Sequence, residues 1–266
     1  MTSPPLMPPT AAGKPPGACH LRYNSDAAVA QYCDAHYGPD KFGVPNFPAR
    51  LARICCCALA ERPRQRALDL GCAVGRASFE LATCFERVDA VDYSRRFIDI
   101  ALQLQQRGHF AYTTPVEGEV LCDRQVDLEQ LGLFPTAGRV RFSSGNALNL
   151  RLQICDYDLI LAANLLDRLP APAEFLASIH RRLRLGGLLA LASPYNWKGD
   201  YTPPNRWLGG RFHCGAPLCS ATEIERLLTR HFVATGPPRE IEFVLRETAR
   251  TFQHGISQFQ LWRRER

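Results

Sequence analysis

The chain has 266 residues, of which 46% are hydrophobic and 22% are charged, as in an ordinary globular protein with one sizeable core. No apolar run approaches the about 20 residues that cross a bilayer, so we expect no membrane contact. The N-terminus lacks the basic and then apolar segments of a signal peptide, which predicts a cytoplasmic protein. The net charge of +6 comes from dispersed basic residues and does not indicate a nucleic-acid partner.

The eleven cysteines do not form a recognisable metal or redox motif. None falls in a C-x-x-C pair, and three of them are consecutive at 55–57. His213, Cys214 and Cys219 lie close together, but no second pair of ligands accompanies them. We therefore expect a protein without a metal site, in which most thiols behave as small buried hydrophobic groups.

The N-terminal quarter predicts a leader followed by two helices. Residues 1–17 are rich in proline and poor in apolar side chains, which indicates disorder. Apolar and aromatic residues over 29–37 then recur at helical spacing, and a second stripe covers 51–59 after Pro48. We expect both helices to form a lid, at about 24–62, within a single domain of residues 18–266.

From residue 66 onward, short apolar strands alternate with helical patterns. The predicted strands cover 67–70, 88–91, 140–142, 157–162, 188–192, 240–246 and 256–263. Such buried strands indicate a parallel sheet covered on both faces. The pattern predicts an α/β, Rossmann-like fold with a seven-stranded, mostly parallel sheet. Residues 193–218 read as a loop, and Ser220 is predicted to cap the following helix.

The segment ALDLGCAVG, residues 67–75, predicts a cofactor site at the end of the first strand. Gly71 allows a sharp turn, in which Cys72 lies, and Gly75 allows the helix start to approach a ligand. The pattern D-x-G-x-x-x-G differs from the dinucleotide pattern G-x-G-x-x-G. Its acid, Asp69, suits the cationic amino-acid tail of a ligand and would repel a pyrophosphate.

Two further segments extend this site to a nucleoside. Asp92 ends the next strand, where an acid accepts both hydroxyls of a ribose, and Tyr93 beside it is placed to pack on adenine. Gly145, Asn146 and Ala147 follow the strand after that. The Asn146 amide oxygen is expected to accept a hydrogen bond from the adenine amino group. Plain strand-to-helix packing is the alternative for the glycine turn, and simple initiation of the next helix is the alternative for Asp92 and Tyr93.

Polar residues also follow the next two strands, where ligands of open α/β sheets bind. Asn164, Asp167 and Arg168 lie in the stretch AANLLDRL that begins at residue 162. The stretch SPYNW over residues 193–197 follows the later strand and contributes Tyr195, Asn196 and Trp197. The first three are candidate catalytic groups, and Asn164 also belongs to the expected cofactor site.

Taken together, these stretches resemble the ovothiol-pathway 4-mercaptohistidine N1-methyltransferases, which are class I S-adenosylmethionine-dependent methyltransferases. The resemblance rests on HYGPD from His36, ALDLGCAVGRASFELA, AANLLDRL, SPYNW, YTPPNRWLGG from Tyr201 and the terminal WRR. It spans about residues 23–264. Asn146 departs from the pattern, since methyltransferases usually carry an acid there.

The resemblance implies a function and a set of partners. The implied reaction is N-methylation of the imidazole ring of 4-mercaptohistidine (5-thiohistidine) to ovothiol. S-adenosylmethionine is the implied cofactor and S-adenosylhomocysteine the implied product. The sulfoxide synthase of the same pathway is a possible protein partner.

Site roles follow from the resemblance as expectations. We expect Asn164 near the transferred methyl, Asp167 on the ring N–H or the ammonium, and Arg168 on the thiolate or carboxylate. Surface pairing is the alternative for Asp167 and Arg168.

Aromatic groups complete the expected substrate site. Tyr195 and Trp197 are expected to sandwich the imidazole beside Asn196, unless they pack in the core. His36 and Tyr37, on the first helix, are expected to close the pocket, although His36 also fits a structural role.

Three other functions fit the same cofactor residues. The first is a methyltransferase acting on another small molecule, such as a phenol or an amine. The second is an RNA methyltransferase, which needs a basic groove with stacking aromatic side chains. The third is a non-catalytic, S-adenosylmethionine-binding partner of a synthase.

Overall fold

The structure, a computed structural model, describes residues 23–59 and 64–266, and the predicted leader at 1–17 lies outside this range. Two helices, α1 (Asp26–Tyr37) and α2 (Phe47–Ala58), occupy the predicted N-terminal segment. The side chain of Ser25 caps α1, and that of Asn46 caps α2 by accepting from the backbone N–H of Ala49. Pro48 lies in the first turn of α2, where a missing N–H costs nothing.

The remaining elements alternate between strands and helices up to the C-terminal strands. In chain order they are β1 (Arg66–Leu70), α3 (Arg76–Ala82), β2 (Arg87–Asp92), α4 (Arg95–Arg107), β3 (His109–Glu117), β4 (Val120–Asp127), α5 (Phe134–Ala137), β5 (Val140–Ser144), β6 (Tyr157–Ala163), α6 (Pro172–Ser178), β7 (Leu183–Ser193), β8 (Arg211–His213), β9 (Ala216–Leu218), α7 (Ser220–Leu228), β10 (Phe232–Ala234), β11 (Arg239–Arg246) and β12 (Phe252–Arg264). Short 3-10 turns at Leu166–Arg168, Ile179–Arg182 and Pro204–Arg206 complete the list.

The central sheet has the strand order β10-β12-β7-β6-β1-β2-β5, with β11 also paired to β12. Strands β5, β2, β1, β6 and β7 are parallel, whereas β12 is antiparallel to β7. The fold is therefore Rossmann-like, as predicted. The sheet contains eight strands rather than seven, because the short β10, which was not predicted, pairs with the last residues of β12 while β11 pairs with its first half.

Helices cover both faces of the sheet, and each face has its own hydrophobic core. One core includes Leu51 of α2, Phe79 of α3 and Phe97 of α4, and the other includes Phe175 of α6 and Ile224 of α7. The five parallel strands lie between these layers, which explains their nearly continuous apolar sequences. None of the helices over 23–59 and 64–266 is long and apolar enough to cross a bilayer.

Two hairpins and one helix start differ from the sequence-based prediction. The hairpin β3–β4 was not predicted. It turns at Gly118, which has a positive φ of 53°, and few of its side chains are buried. A second hairpin, β8–β9, lies inside the segment predicted as a loop. Helix α7 begins at Ser220 rather than after it, because the Ser220 hydroxyl instead accepts a hydrogen bond from the Trp197 indole at 2.8 Å.

Candidate active site

The carboxyl ends of the parallel strands are held together by backbone hydrogen bonds. Gly71 donates its N–H to the carbonyl of Val91 at 2.8 Å, and Gly145 donates to that of Asp92 at 2.9 Å. These bonds connect the loops after β1, β2 and β5. The loops border a cavity of about 1090 Å³, which α1 and the β11–β12 hairpin also line.

Most of the predicted site residues line this cavity. They are His36, Asp69, Gly71, Cys72, Asp92, Tyr93, Gly145, Asn146, Ala147, Asn164, Arg168 and Asn196. Five predicted residues are not part of its wall. They are Tyr37, Gly75, Asp167, Tyr195 and Trp197.

Asp69 is a buried carboxyl at the end of β1. It accepts a hydrogen bond of 2.6 Å from the hydroxyl of Ser78 on α3. Burial, with a smaller effect of the nearby Asp92 charge, raises its pKa to about 7, although Ser78 opposes the shift. The carboxyl is therefore poised to ionise fully when a cation binds beside it.

Asp92 is held rigidly by the backbone around it. One carboxylate oxygen accepts from the N–H of Ala73 at 2.8 Å and the other from the N–H of Ser94 at 2.8 Å. Burial raises the pKa of Asp92, and these backbone hydrogen bonds oppose the shift. Each oxygen keeps a second lone pair, so the carboxylate can still accept two hydroxyl groups of a ligand in the cavity.

The two glycines of the turn have different roles. Gly71 has a positive φ of 75° and lines the cavity, as the predicted turn requires. Gly75 also has a positive φ, of 89°, but a Cβ atom there would lie 2.8 Å from the ring of Phe142. The expectation that Gly75 makes room for a ligand is therefore corrected, because it makes room for Phe142.

Replacing Gly71 with valine is expected to abolish measurable binding of S-adenosylmethionine. A β-branched side chain is strained at this φ, and its Cβ would lie 3.2 Å from Leu165, next to Asn164. Gly132→Val is the matched control, since Gly132 has a φ of 68° and open space around it. Calorimetric titration of both folded variants checks the prediction, and retained binding by Gly71→Val would place the cofactor turn elsewhere.

Tyr93 and Asn146, the residues predicted to bind adenine, both line the cavity. Tyr93 is 57% exposed at the edge of the cavity. The side-chain oxygen of Asn146 accepts a hydrogen bond of 2.9 Å from the N–H of Leu148, which fixes the amide within its loop. One lone pair of this oxygen is left for a ligand.

Arg168 reaches the cavity, and Asp167 lies beneath it. Asp167 is fully buried, and its carboxylate is 2.7 Å from Nη1 of Arg168. The same nitrogen donates to the carbonyl of Asn196, and the guanidinium lies over the ring of Tyr201 at 4.7 Å. The expected contact of Asp167 with substrate is corrected, because the 3-10 turn directs it inward as the anchor of Arg168.

Three aromatic residues expected in the substrate site serve the fold instead. The Tyr195 hydroxyl donates to Gln258 at 2.9 Å, and the Trp197 indole donates to Ser220. Both rings pack against the core on the α6–α7 face, so they do not sandwich a ligand in the cavity. Tyr37 donates its hydroxyl to the carbonyl of Val74 at 2.7 Å and thereby joins α1 to the cofactor turn.

His36 is a neutral cavity residue. Burial and the Arg76 guanidinium lower its pKa to about 3. Its ring contacts those of Tyr32 and Tyr37, and Nδ1 is buried without a hydrogen-bond partner in the described part of the chain. Since it stays uncharged at physiological pH, His36 offers the cavity a polar but neutral wall.

The structure adds residues that the sequence did not indicate. Tyr23, Tyr32 and Tyr201 line the cavity on the Arg168 side, and the Tyr23 hydroxyl donates to that of Tyr201 at 3.3 Å. Tyr32 and Tyr201 belong to two stretches that the sequence analysis had singled out, and their aromatic side chains were the signal from which these two residues could have been predicted. The hairpin β11–β12 also contributes a wall, for which periodicity gave no signal.

Comparisons with known proteins agree with this fold. Residues 68–189 match a family model described as a methyltransferase domain. No curated protein sequence matches the chain.

Solved structures of low sequence identity share the fold. Magnesium protoporphyrin IX methyltransferase from Synechocystis PCC 6803, solved with bound S-adenosylmethionine, is 14% identical with a TM-score of 0.59, and the match covers 97% of this chain and 100% of that one. The N-methyltransferase NodS from Bradyrhizobium japonicum WM9, solved with S-adenosylhomocysteine, is 16% identical with a TM-score of 0.51. The match covers 90% of this chain and 99% of that one.

The [4+2]-cyclase SpnF is 15% identical, with a TM-score of 0.58, and the match covers 92% of this chain and 94% of that one. A cyclase and methyltransferases therefore share this fold, so the reaction must be argued from the site. Residues 68–189 are therefore similar in sequence to a methyltransferase domain, and they lie within a Rossmann-like fold.

Proposed function

We propose that this protein transfers the methyl group of S-adenosylmethionine to a ring nitrogen of 4-mercaptohistidine and so forms ovothiol. The observation that carries the proposal is one continuous cavity. Asp69 and Asp92 line it at the nucleoside end, and Asn164 and Arg168 line it where the next strand ends. The donor and a small acceptor can therefore meet within one cavity.

The residues at the nucleoside end fit the methyl donor. An ionised Asp69 complements the ammonium of the methionine moiety, and Asp92 accepts the two ribose hydroxyls. The Asn146 amide oxygen can accept from the adenine amino group, and Tyr93 offers a face for the ring. Bound S-adenosylmethionine supplies an electrophilic methyl group on a sulfonium.

The residues at the other end fit a small anionic acceptor. Nη1 of Arg168 is occupied by Asp167 and Asn196, whereas no hydrogen bond from Nη2 or Nε is found among residues 23–59 and 64–266. These donors are available to a thiolate or carboxylate. The ring nitrogen uses its lone pair to bond the methyl carbon, and the electrons of the carbon–sulfur bond return to the cofactor sulfur.

Charge balance explains why the site needs no strong base. The cation S-adenosylmethionine and the thiolate form of the substrate become neutral S-adenosylhomocysteine and a neutral N-methylated ring. Because no proton has to leave in the transfer step, alignment is the main task of the protein. This agrees with His36, whose low pKa makes it a poor base.

Cofactor affinity is expected to depend on pH through Asp69. Its pKa of about 7 in the free protein means that the carboxyl is protonated below this pH and ionised above it. Because the cofactor ammonium favours the ionised form, affinity should fall by up to about tenfold per pH unit below pH 7.

Calorimetry with S-adenosylhomocysteine between pH 8 and 5.5 measures this dependence. Asp69→Asn should bind weakly and without the pH step. Asp89→Asn, which changes a buried acid outside the cavity, should keep the step. A wild-type affinity that is flat across this range would show that Asp69 does not contact the cofactor ammonium.

Mass spectrometry tests the proposed reaction directly. The purified chain is incubated with S-adenosylmethionine and synthetic thiohistidine, with histidine and catechol as competing acceptors. A mass gain of one methyl on thiohistidine alone supports the proposal, and methylation of another acceptor would replace the substrate. Binding of the cofactor without turnover would favour a non-catalytic partner of a synthase.

Two further expectations belong to this proposal. We infer that the protein acts in the cytoplasm and that an enzyme forming the carbon–sulfur bond of thiohistidine, such as a sulfoxide synthase, supplies its substrate.

A further inference from the structure

Asn164 has an unusual position at the end of β6. Its backbone has a positive φ of 51°, and its N–H donates to the carbonyl of Ala192 at 2.9 Å. Left-handed backbone is uncommon for a residue other than glycine, and asparagine tolerates it better than most. The conformation directs the side chain to the cavity, whose wall it forms.

A buried hydroxyl fixes the orientation of this side chain. Ser257 on β12 has no exposed surface, and its Oγ donates to Oδ1 of Asn164 at 2.7 Å. A serine hydroxyl has one hydrogen to donate. Turning the amide over would put NH₂ against the hydroxyl and deprive it of this acceptor at a fully buried position, which is unfavourable.

The amide therefore presents its NH₂ group, and not its oxygen, to the cavity. An NH₂ group selects hydrogen-bond acceptors and disfavours an ammonium or a ring N–H. Ser257 does not line the cavity, so it acts only through Asn164.

We propose that Ser257 is a positioning residue that holds the Asn164 amide as a donor to an electron-rich substrate atom beside the nucleophile. The inference rests on the proposed function, and for thiohistidine that atom is the thiolate sulfur. Held by this donor, the sulfur is kept from the methyl while the neighbouring ring nitrogen faces it. The pair thus favours nitrogen over the softer sulfur.

Two substitutions separate this role from a general effect on folding. Asn164→Asp keeps an acceptor for Ser257 but removes the NH₂ donors, and Ser257→Ala keeps the donors but removes what orients them. Thr114→Val is the matched control, since it removes another buried hydroxyl, in the β3–β4 hairpin away from the cavity.

The expected result is a change in kcat and in the product. Ser257→Ala should lower kcat about tenfold, leave the KM for S-adenosylmethionine unchanged and produce detectable S-methylated product. Asn164→Asp should lower kcat at least as much, and Thr114→Val should behave as wild type. Wild-type kcat and product ratio in both site variants would overturn the proposal.

A spectroscopic readout keeps the inference testable if thiohistidine is not the substrate. In that case the wild type fails to methylate it, which contradicts the proposed function only. The Asn164 side-chain amide signals in a ¹⁵N spectrum are identified by their loss in Asn164→Asp. In Ser257→Ala they should shift while other asparagine amides do not, and unchanged signals would show that Ser257 does not fix the amide.

Discussion

Replacing Asp92 with alanine is expected to weaken S-adenosylmethionine binding by about 2 to 4 kcal/mol, which is roughly 30- to 700-fold in Kd. The substitution removes a charged acceptor of two hydroxyl groups. It also removes the acceptor for the N–H groups of Ala73 and Ser94, which shape the turns on both sides of the ribose position. Calorimetric titration of the purified variant measures the loss.

A control on the same strand separates binding from folding. Asp89 is also buried on β2, but it pairs with Arg66 and Arg87 and does not line the cavity. Asp89→Ala should therefore lower the melting temperature and leave Kd close to wild type. If folded Asp92→Ala retained wild-type affinity, the assignment of the ribose site would be wrong.

Replacing Arg168 with alanine is expected to reduce both rate and selectivity. In the proposed reaction a guanidinium of fixed orientation pairs with the thiolate, so that only the ring nitrogen reaches the methyl. Without it the ring can rotate, and the variant should form a detectable fraction of S-methylated product. The accompanying loss in transition-state stabilisation is about 2 to 3 kcal/mol, or roughly 30- to 150-fold in kcat/KM.

Arg66→Ala is the matched control for this variant. Arg66 pairs with the buried Asp89 and stacks on Tyr157 at 4.6 Å, as Arg168 pairs with Asp167 and stacks on Tyr201, but it lies outside the cavity. Chromatography separates the two methyl isomers, and NMR identifies them. A slower Arg168→Ala enzyme that still methylates only nitrogen would assign Arg168 to the substrate carboxylate.

The sequence predicted those parts of the fold that depend on local pattern. The apolar runs at 67–70 and 157–162 became β1 and β6 almost to the residue, because strands covered on both faces are nearly continuously apolar. The β3–β4 hairpin was missed because most of its side chains are exposed or half-buried, which leaves no clear period. Gly118 indicated a turn, but the residues on either side of it do not alternate between apolar and polar as the strands of a hairpin usually do.

Site predictions failed where distant contacts decide the orientation of a side chain. Asp167 and Arg168 are adjacent in sequence, yet the 3-10 turn buries the first and exposes part of the second to the cavity. Trp197 is held by Ser220, a bond between residues far apart in the chain. The link between Ser257 and Asn164 spans 93 positions and has no local signature.

Strand β12 has a consequence for the order in which the molecule is built. It follows every other strand in the chain, yet it lies inside the sheet between β7 and the β10–β11 edge and carries Ser257. During synthesis the Rossmann-like half can pair its parallel strands while β12 is still within the ribosome. The Asn164 side chain then lacks its contact with Ser257, so a nascent chain can form the loops of the cavity before it forms the contact on which the proposed choice between nitrogen and sulfur depends.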